Sequence, residues 1–316
     1  MAAGVVTVLG ENVADAFPDA SGPRSDGALT LRVHPGGSPA NTAVALARLG
    51  TRTRFMGRIA DDVFGRAFRE RLAASSVDLT RSVRAVEPST LAVATLDSGG
   101  RAAYSFHAEA TADWQWTPEE LPPDALDSSV CLHTGSIALG RTPGGRVIEE
   151  FAAAARRRVT VSIDPNVRLP LVSLDDLRAR MPRWCAIADV LKLSEDDLAL
   201  LYPGMSIERA CDEWHAAGVT LVVVTKGAQG AVASLRGGRV VVPGFPVAVV
   251  DTVGAGDAFT AGLLHALGQD GLLGGRLPGL SIEQVREAVG FAARVAALTC
   301  SVAGANPPWG DRLPMG

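Results

Sequence analysis

The sequence has few cysteines and tyrosines, no excess of positive charge and no long apolar run. Its 316 residues include four cysteines, two tyrosines and a formal net charge of −4. Without a basic excess, we expect no binding to nucleic acid or to an anionic membrane. The cysteines form no CxxC pair, which argues against a disulfide framework or a zinc site. The opening MAAGVVTVLG lacks a basic segment and is interpreted as a first strand, so we expect a cytoplasmic protein.

Short apolar runs alternate with longer helical patterns along the chain. The runs VVTVLG, VTVSID, VLKLS and LVVVTKG are typical of strands covered on both faces. Between them, segments such as ANTAVALARLG and SIERACDEWHAAG repeat apolar residues at helical spacing. This alternation predicts an α/β fold, with a mostly parallel central sheet flanked by helices on both faces. Ligands of such sheets bind beyond the carboxyl ends of the strands.

Two segments, at about 12–35 and 84–115, interrupt the alternation. The second contains STLAVATLDSGGRAAYSFHA, which predicts two strands joined by a Ser-Gly-Gly turn. The segments are either surface hairpins or a small, discontinuous β-sheet lid over a site. We expect residues 1–316 to form a single domain into which these segments are inserted.

The stretch DTVGAGDAFTAGLL, residues 251–264, has the composition of a glycine turn that leads into a helix. Gly254 and Gly256 allow backbone angles that other residues avoid, and the N–H groups of such a turn can bind an anion. Asp257 either caps the helix or acts as a base beside that anion, as phosphoryl transfer to an alcohol requires. The P-loop and G-x-S-x-G motifs are absent from the sequence, which argues against a P-loop NTPase and an α/β-hydrolase.

Several motifs together resemble the ribokinase-like (PfkB) family of carbohydrate kinases. PGGSPANTAVALARLG (35–50) is similar to the family's N-terminal signature, and DTVGAGDAFTAGLL to its C-terminal signature. SIDPNVR, VLKLSEDDL and VVTKGAQG lie between them in the family's order. Five motifs in this order cover nearly the whole chain, so the resemblance implies a ribokinase-like fold.

The resemblance also implies a role for each matching residue. Asp257 is expected to take the proton of a sugar hydroxyl, while the turn Gly254, Ala255 and Gly256 stabilises the transferred phosphoryl group. The residues expected at the sugar are Asp15, Gly36, Gly37, Asn41, Phe106, Arg168 and Asp251. Those expected at ATP and its phosphates are Asn166, Lys192, Ser194, Thr225, Gly227, Gly230, Ala293 and Ala296. Asp197 is expected to hold hydrated magnesium, and the candidate potassium ligands are Asp251, Val253 and Gly304.

Some of these positions have simpler interpretations, and some depart from the family pattern. Asn41 also suits a helix start, and FAARVAALT, which contains Ala293 and Ala296, also suits a buried core helix. Ser194 to Asp197 stands where the family has Asn-x-x-Glu, Val253 replaces a frequent Thr, and Pro308 replaces a frequent Ser.

The motifs GGSPAN, DPNVR and KLSEDD are most similar in style to those of fructokinases and 2-keto-3-deoxygluconate kinases. The lid of those enzymes commonly continues with an arginine, whereas here Phe106 and His107 are followed by Ala108. Since an acid sugar favours arginine for its carboxylate, we expect a neutral sugar, with fructose the leading candidate. His107 either touches this sugar or lies on the lid surface. The alternatives are a 2-keto-3-deoxygluconate, ribose or nucleoside kinase, or a non-catalytic sugar- or nucleotide-sensing protein. We expect ATP and magnesium, with potassium as a further candidate ion, and a homodimer joined through the lid.

Overall fold

The computed structural model describes residues 4–18, 30–96, 102–169 and 171–313. The strands, in chain order, are β1 (Val5–Leu9), β2 (Val13–Pro18), β3 (Leu31–Gly36), β4 (Thr53–Met56), β5 (Arg58–Ala60), β6 (Val83–Ala85), β7 (Thr90–Leu96), β8 (Ala102–His107), β9 (Ser129–Gly135), β10 (Thr160–Asp164), β11 (Val190–Ser194), β12 (Leu221–Thr225), β13 (Ala231–Leu235) and β14 (Gly238–Val242). The α-helices are α1 (Ser38–Arg48), α2 (Val63–Ala74), α3 (Ser136–Gly140), α4 (Gly144–Ala155), α5 (Leu174–Ile187), α6 (Glu195–Leu201), α7 (Ile207–Ala217), α8 (Ala255–Gln269) and α9 (Ile282–Cys300).

The central sheet has eight strands within the described residues, in the order β14-β13-β12-β11-β10-β9-β1-β4. The six strands from β12 to β4 are parallel, whereas β13 and β14 pair antiparallel at one edge. The prediction of a mostly parallel sheet is therefore confirmed.

Apolar side chains cover both faces of this sheet. Along β12, Leu221 and Val223 pack into the cluster that contains α8 and α9. Val222 and Val224 point to the other face, into the cluster that contains α4, α5 and α7. All four are completely buried, and each such burial contributes about 1.5–3 kcal/mol. Because helices cover both sides of the sheet, every residue of this strand can be apolar, which explains the continuous run LVVV in the sequence.

A separate sheet of four strands has the order β3-β2-β7-β8. It combines two pieces of the chain that lie far apart in sequence, because β2 pairs with β7 in parallel. β7 and β8 pair antiparallel, as the sequence predicts. The Ser-Gly-Gly turn between them and residues 19–29 of the first inserted segment lie outside the described residues.

The carboxyl ends of β1, β9, β10, β11 and β12 meet at one edge of the central sheet, since these strands are parallel. Helices α1 and α8 begin close together, because side chains of their first turns are hydrogen-bonded.

Among the described helices, none has the length and hydropathy needed to cross a membrane. All four cysteines are free thiols.

Candidate active site

Helix α8 begins in a turn whose geometry requires glycine. Gly254 has left-handed backbone angles, φ 78° and ψ 0°, and a Cβ there would lie 2.6 Å from a side chain of the C-terminal segment. The N–H groups of the first helical turn lack intrahelical acceptors and create positive potential. Ala255 N–H donates to Thr252 O at 3.2 Å. The N–H groups of Gly256 and Asp257 are therefore the donors that this turn offers to an anion.

The start of α1 holds both carboxylate oxygens of Asp257. Ser38 Oγ donates to Oδ1 at 2.6 Å, and Asn41 Nδ2 donates to Oδ2 at 2.9 Å. Gly37 precedes this helix with φ 96°, and a Cβ there would lie 2.7 Å from Glu11 O. The glycine thus lets α1 begin directly against the segment that follows β1. The two signature motifs, more than 200 residues apart in sequence, meet in these hydrogen bonds.

Asp15 of β2 is the second carboxylate of this cluster. A Cβ on Gly36 of the neighbouring strand would lie 2.0 Å from Asp15 Oδ2, so any side chain there would displace the carboxylate from its present position. Burial raises the pKa of Asp15 to about 6, while the cations Arg71 and Arg168 oppose the rise and the charge of Asp257 adds to it. The small sheet and the start of α8 therefore place two interacting carboxylates in one site.

Arg71 of α2 reaches the same cluster. Its Nη1 donates to Pro35 O at 3.0 Å and to Asn41 Oδ1 at 2.9 Å, and its Nη2 donates to Ala305 O at 2.7 Å. Burial lowers the pKa of Arg71 to about 10, which leaves it cationic at neutral pH. A positive charge therefore lies beside the pair of carboxylates.

Lys192, the middle residue of β11, approaches the glycine turn. Its Nζ donates to Asp164 Oδ2 at 2.8 Å and to Gly256 O at 3.3 Å. Burial raises the pKa of Asp164, which the charge of Lys192 opposes. Asn166, with φ 40°, donates from Nδ2 to Ser136 Oγ at 3.1 Å. Lys192 thus places a cation beside the glycine turn, and Asn166 lies just beyond the end of β10.

The carboxylate of Asp197 is largely occupied by protein donors. Oδ1 accepts from Val167 N at 3.0 Å, and Oδ2 accepts from Ser194 N at 3.0 Å and from Ser194 Oγ at 2.6 Å. Together with the bond from Asp197 N to Ser194 Oγ, these contacts form the capping box of α6. A carboxylate offers about four acceptor positions, so one remains for a metal-bound water. The residue fits an outer-shell magnesium contact and not direct ligation.

Asp251 joins the two loops that contain the candidate potassium ligands. Its Oδ1 accepts from Val253 N at 3.0 Å, and its Oδ2 accepts from Gly304 N at 2.8 Å. Gly304 has φ 70°. In the described part of the chain, no three His, Cys, Asp or Glu side chains are grouped so that they could hold a metal ion. Both oxygens of Asp251 thus hold the two loops together.

Phe106, His107 and Arg168, which are candidates for contact with the sugar, differ in their exposure to solvent. Phe106 of β8 is partly buried and packs against the core. His107 is exposed, as is Arg168. The Arg168 guanidinium donates to the adjacent Val167 O at 2.9 Å and still acts electrostatically on Asp15.

The residues expected to contact ATP lie at the end of β12, just beyond it and on α9. Thr225 ends the strand, and Gly227, with φ 52°, is exposed just beyond it. Gly230 has φ 92°, and a Cβ there would lie 2.0 Å from a backbone carbonyl of β14. Ala293 is buried in the core, and Ala296 packs against it. The contacts of these two alanines are those of a core helix.

Comparison with known proteins identifies the family. Residues 5–312 match the model of the pfkB family of carbohydrate kinases. The chain therefore belongs to this family. The ribokinase-like α/β fold predicted from the sequence is confirmed, and the protein is a carbohydrate kinase, a phosphotransferase.

Relatives in the family include several fructokinases. The fructokinase of Klebsiella pneumoniae is 39% identical over 298 residues, which cover 92% of this chain and 94% of that protein. A crystal structure of Xylella fastidiosa fructokinase with bound ATP has a TM-score of 0.85 at 27% identity and covers 95% of this chain and 93% of that one. A double mutant of Vibrio cholerae O395 fructokinase, with fructose, ADP and potassium bound, has a TM-score of 0.79 at 30% identity and covers 96% and 94%.

Two residues of the candidate site, Ser38 and Arg71, were not predicted from the sequence. Ser38 lies inside the motif GGSPAN, and its hydroxyl beside the paired glycines was the available signal. Arg71 is one of three arginines in VFGRAFRERLAA, and helical spacing does not distinguish it from its neighbours. Only the packing of α2 against α1 and β3 shows which arginine enters the site.

Proposed function

We propose that this carbohydrate kinase is an ATP-dependent fructokinase that transfers the γ-phosphoryl group of ATP to a primary hydroxyl of fructose. The observation that carries the proposal is Asp257 in the first turn of α8, with Ser38 and Asn41 on its oxygens and Asp15 nearby. The name of the Klebsiella pneumoniae relative and the fructose in the Vibrio cholerae structure support the choice of sugar.

Asp257 serves as the base. As the sugar oxygen attacks the phosphorus atom, its proton passes to the Asp257 carboxylate. A carboxylate is a weak base for an alcohol, and it suffices because the transition state of phosphoryl transfer is loose. Ser38 and Asn41 fix the carboxylate before the sugar arrives. Each carboxylate oxygen has about two acceptor positions, so a position remains for the sugar hydroxyl.

The phosphoryl group lies against the glycine turn. The N–H groups of Gly256 and Asp257 stabilise its negative charge at the positive end of α8, while Lys192 of β11 and Asn166, just after β10, bind the phosphates. Magnesium, when bound with ATP, supplies further positive charge to the phosphate oxygens. Asp197 would hold the hydrated ion through one of its waters, since magnesium keeps several waters in such sites.

ATP lies beyond β12. Thr225, Gly227 and Gly230 border it, because glycine lets the backbone approach a nucleotide closely. Ala296 of α9, which is only partly buried, borders the adenine ring, and Ala293 packs in the core behind it. The bound ATP of the Xylella fastidiosa fructokinase supports this part of the proposal.

The sugar binds between the central sheet and the small sheet. Asp15 accepts hydrogen bonds from the sugar hydroxyls, and Asn41 donates to them. Gly36 and Gly37 let the sugar approach the backbone closely. Phe106 supplies an apolar wall from β8. The further contacts in this proposal are Arg168 and Asp251.

The small sheet acts as a lid, formed from about 12–35 and 84–115 of one domain that spans residues 1–316. Its closure excludes water and limits the hydrolysis of ATP. β3 and β8 are the edges of this sheet and Val33 of β3 is exposed, so a second copy that covers the lid would protect them. We therefore propose a homodimer; a monodisperse monomer in light scattering at micromolar concentration contradicts it.

Potassium binds at the loops that Asp251 joins, with backbone carbonyls of Asp251, Val253 and Gly304 as ligands. The potassium ion in the Vibrio cholerae structure supports this assignment. The free thiols suit a reducing compartment, and we assign the enzyme to the cytoplasm.

The test is ADP release from magnesium-ATP with fructose, ribose, glucose, 2-keto-3-deoxygluconate and adenosine. We expect the highest kcat/KM with fructose and a fructose monophosphate as product in ³¹P NMR spectra. Higher kcat/KM for the acid sugar or for adenosine overturns the choice of fructose. ATP binding without turnover of any compound overturns the catalytic role and favours a sensing protein.

A further inference from the structure

Arg71 connects three parts of the site that are far apart in sequence. From α2, it donates to Pro35 at the end of β3, to Asn41 in α1 and to Ala305 in the C-terminal turn, at 3.0, 2.9 and 2.7 Å. A guanidinium presents its N–H groups in a planar fork. The side chain therefore fixes the positions of these three segments relative to one another.

The contact with Asn41 has a directional consequence. Arginine only donates hydrogen bonds, so it must meet the carbonyl oxygen of the Asn41 amide, as it does at 2.9 Å. The amide nitrogen then points the other way and donates to Asp257 Oδ2 at 2.9 Å. With the amide flipped, its oxygen would face the Asp257 carboxylate and repel it. Arg71 thus selects the only orientation in which Asn41 supports Asp257.

The guanidinium also balances the negative charge of the site. Burial raises the pKa of Asp15 to about 6, and among the nearby cations Arg71 opposes this rise most strongly, followed by Arg168. Asp257, on α8, acts in the opposite direction. Across the small sheet, His34 of β3 stands opposite Asp15 and is exposed. Arg71 is therefore the principal cation that favours the ionised form of Asp15.

We propose that Arg71 is a positioning residue of the phosphoryl transfer, which orients Asn41 toward Asp257 and keeps a positive charge beside Asp15. This inference rests on the proposed function, in which Asp257 is the base and Asp15 binds the sugar. It goes further by assigning two effects to one side chain of α2. Arg71 sets the geometry of the base, and it also sets the pH at which kcat/KM falls on the acid side of the pH profile, which is the acid limb.

The experiment compares the pH profiles of kcat and kcat/KM for fructose in the wild type, Arg71→Gln and Arg71→Lys. We expect Arg71→Gln to lower kcat about tenfold, because the Asn41 amide is no longer oriented. Its acid limb in kcat/KM should move up by about one pH unit, since the cation near Asp15 is gone. Arg71→Lys should lower kcat similarly, because it lacks the planar fork, but keep the limb close to its wild-type pH.

Arg48→Gln is the matched control. Arg48 donates to Asn306 Oδ1 and Pro307 O at 2.6 and 2.9 Å, in the same C-terminal turn that Arg71 holds. It is absent from the charges that act on Asp15. We expect Arg48→Gln to loosen the turn and to leave the acid limb unchanged.

A double-mutant cycle with Asn41→Ala tests whether Arg71 acts through Asn41. In the Asn41→Ala background, Arg71→Gln should change kcat less than twofold, because the intermediary is missing. A full tenfold effect in that background overturns the positioning role. An unmoved acid limb in Arg71→Gln overturns the electrostatic role. If Arg71→Gln does not fold, a wild-type kcat in Arg71→Lys still overturns the inference. A wild type without fructose turnover refutes the proposed function instead, which separates the two failures.

Discussion

Replacing Asp15 by Asn should stabilise the unliganded protein at neutral pH. Burial raises the pKa of Asp15 from 3.8 to about 6, so the folded protein binds this proton more tightly than the unfolded chain does. The contribution of this group to the free energy of unfolding is therefore greatest below pH 3.8, and it is lost as the pH rises through about 6. At about 1.4 kcal/mol per pKa unit, the charged carboxylate costs the folded state up to about 3 kcal/mol at pH 7.

The assay is urea unfolding of the wild type and Asp15→Asn between pH 4 and pH 7. The variant should be more stable by up to about 3 kcal/mol at pH 7, and this difference should narrow steadily as the pH falls from 6 to 4. Asp270→Asn, which removes an exposed carboxylate just beyond α8, is the control and should change the stability at pH 7 by less than about 1 kcal/mol. A difference that stays constant with pH, or an Asn variant that is less stable at pH 7, refutes the reasoning.

The same ionisation should appear in the kinetics. If the ionised Asp15 binds the sugar, kcat/KM for fructose in the wild type should fall about tenfold from pH 7 to pH 5, as the ionised fraction falls. The Asn variant should lose this acid limb and should have a KM for fructose at least tenfold higher, because it lacks a charged acceptor. An acid limb that persists in Asp15→Asn assigns it to another group.

The remaining predictions concern the supporting contacts. Lys192→Met leaves the buried carboxylate of Asp164 without its cation, so we expect the free energy of unfolding to fall by about 3–5 kcal/mol in urea denaturation; a loss below about 1 kcal/mol contradicts this role. Gly254→Ala puts a Cβ on left-handed backbone, 2.6 Å from the Cβ of Ala305, and should lower kcat at least tenfold in steady-state assays; a wild-type kcat shows that the turn tolerates another geometry. Asp251→Ala frees the two loops that the carboxylate joins and should abolish any stimulation by KCl measured against choline chloride; an unchanged response refutes the loop assignment.

The sequence allowed the fold and the glycine turn before α8 to be predicted because their causes are local. Apolar runs such as LVVVTKG require cover on both faces, and the structure supplies it. Gly254 and Gly37 have positive φ angles, which other residues rarely adopt, so these glycines marked their turns in advance. The regularity of these patterns made them visible without any tertiary information.

The parts that could not be predicted depend on contacts between distant segments. Ser38 binds Asp257 from 219 positions away, and Arg71 binds Ala305 from 234 positions away; no spacing rule covers such distances. Asp197 shows a different difficulty. Its position in the motif was clear, but the sequence did not reveal that the capping box occupies Oδ2 and the Val167 N–H occupies Oδ1. Tertiary packing decides which polar side chains keep free acceptors.

The central claim is that Asp257 is the base of the reaction, and one comparison tests it most directly. Turnover of fructose with magnesium-ATP is measured for Asp257→Asn and for the control Asp270→Asn of the same helix, with fructose affinity measured by calorimetry. The account predicts that Asp257→Asn lowers kcat about 10²–10⁴-fold while it still binds fructose, and that Asp270→Asn retains the wild-type kcat. An Asp257→Asn enzyme that binds fructose and turns it over within tenfold of the wild type contradicts the account.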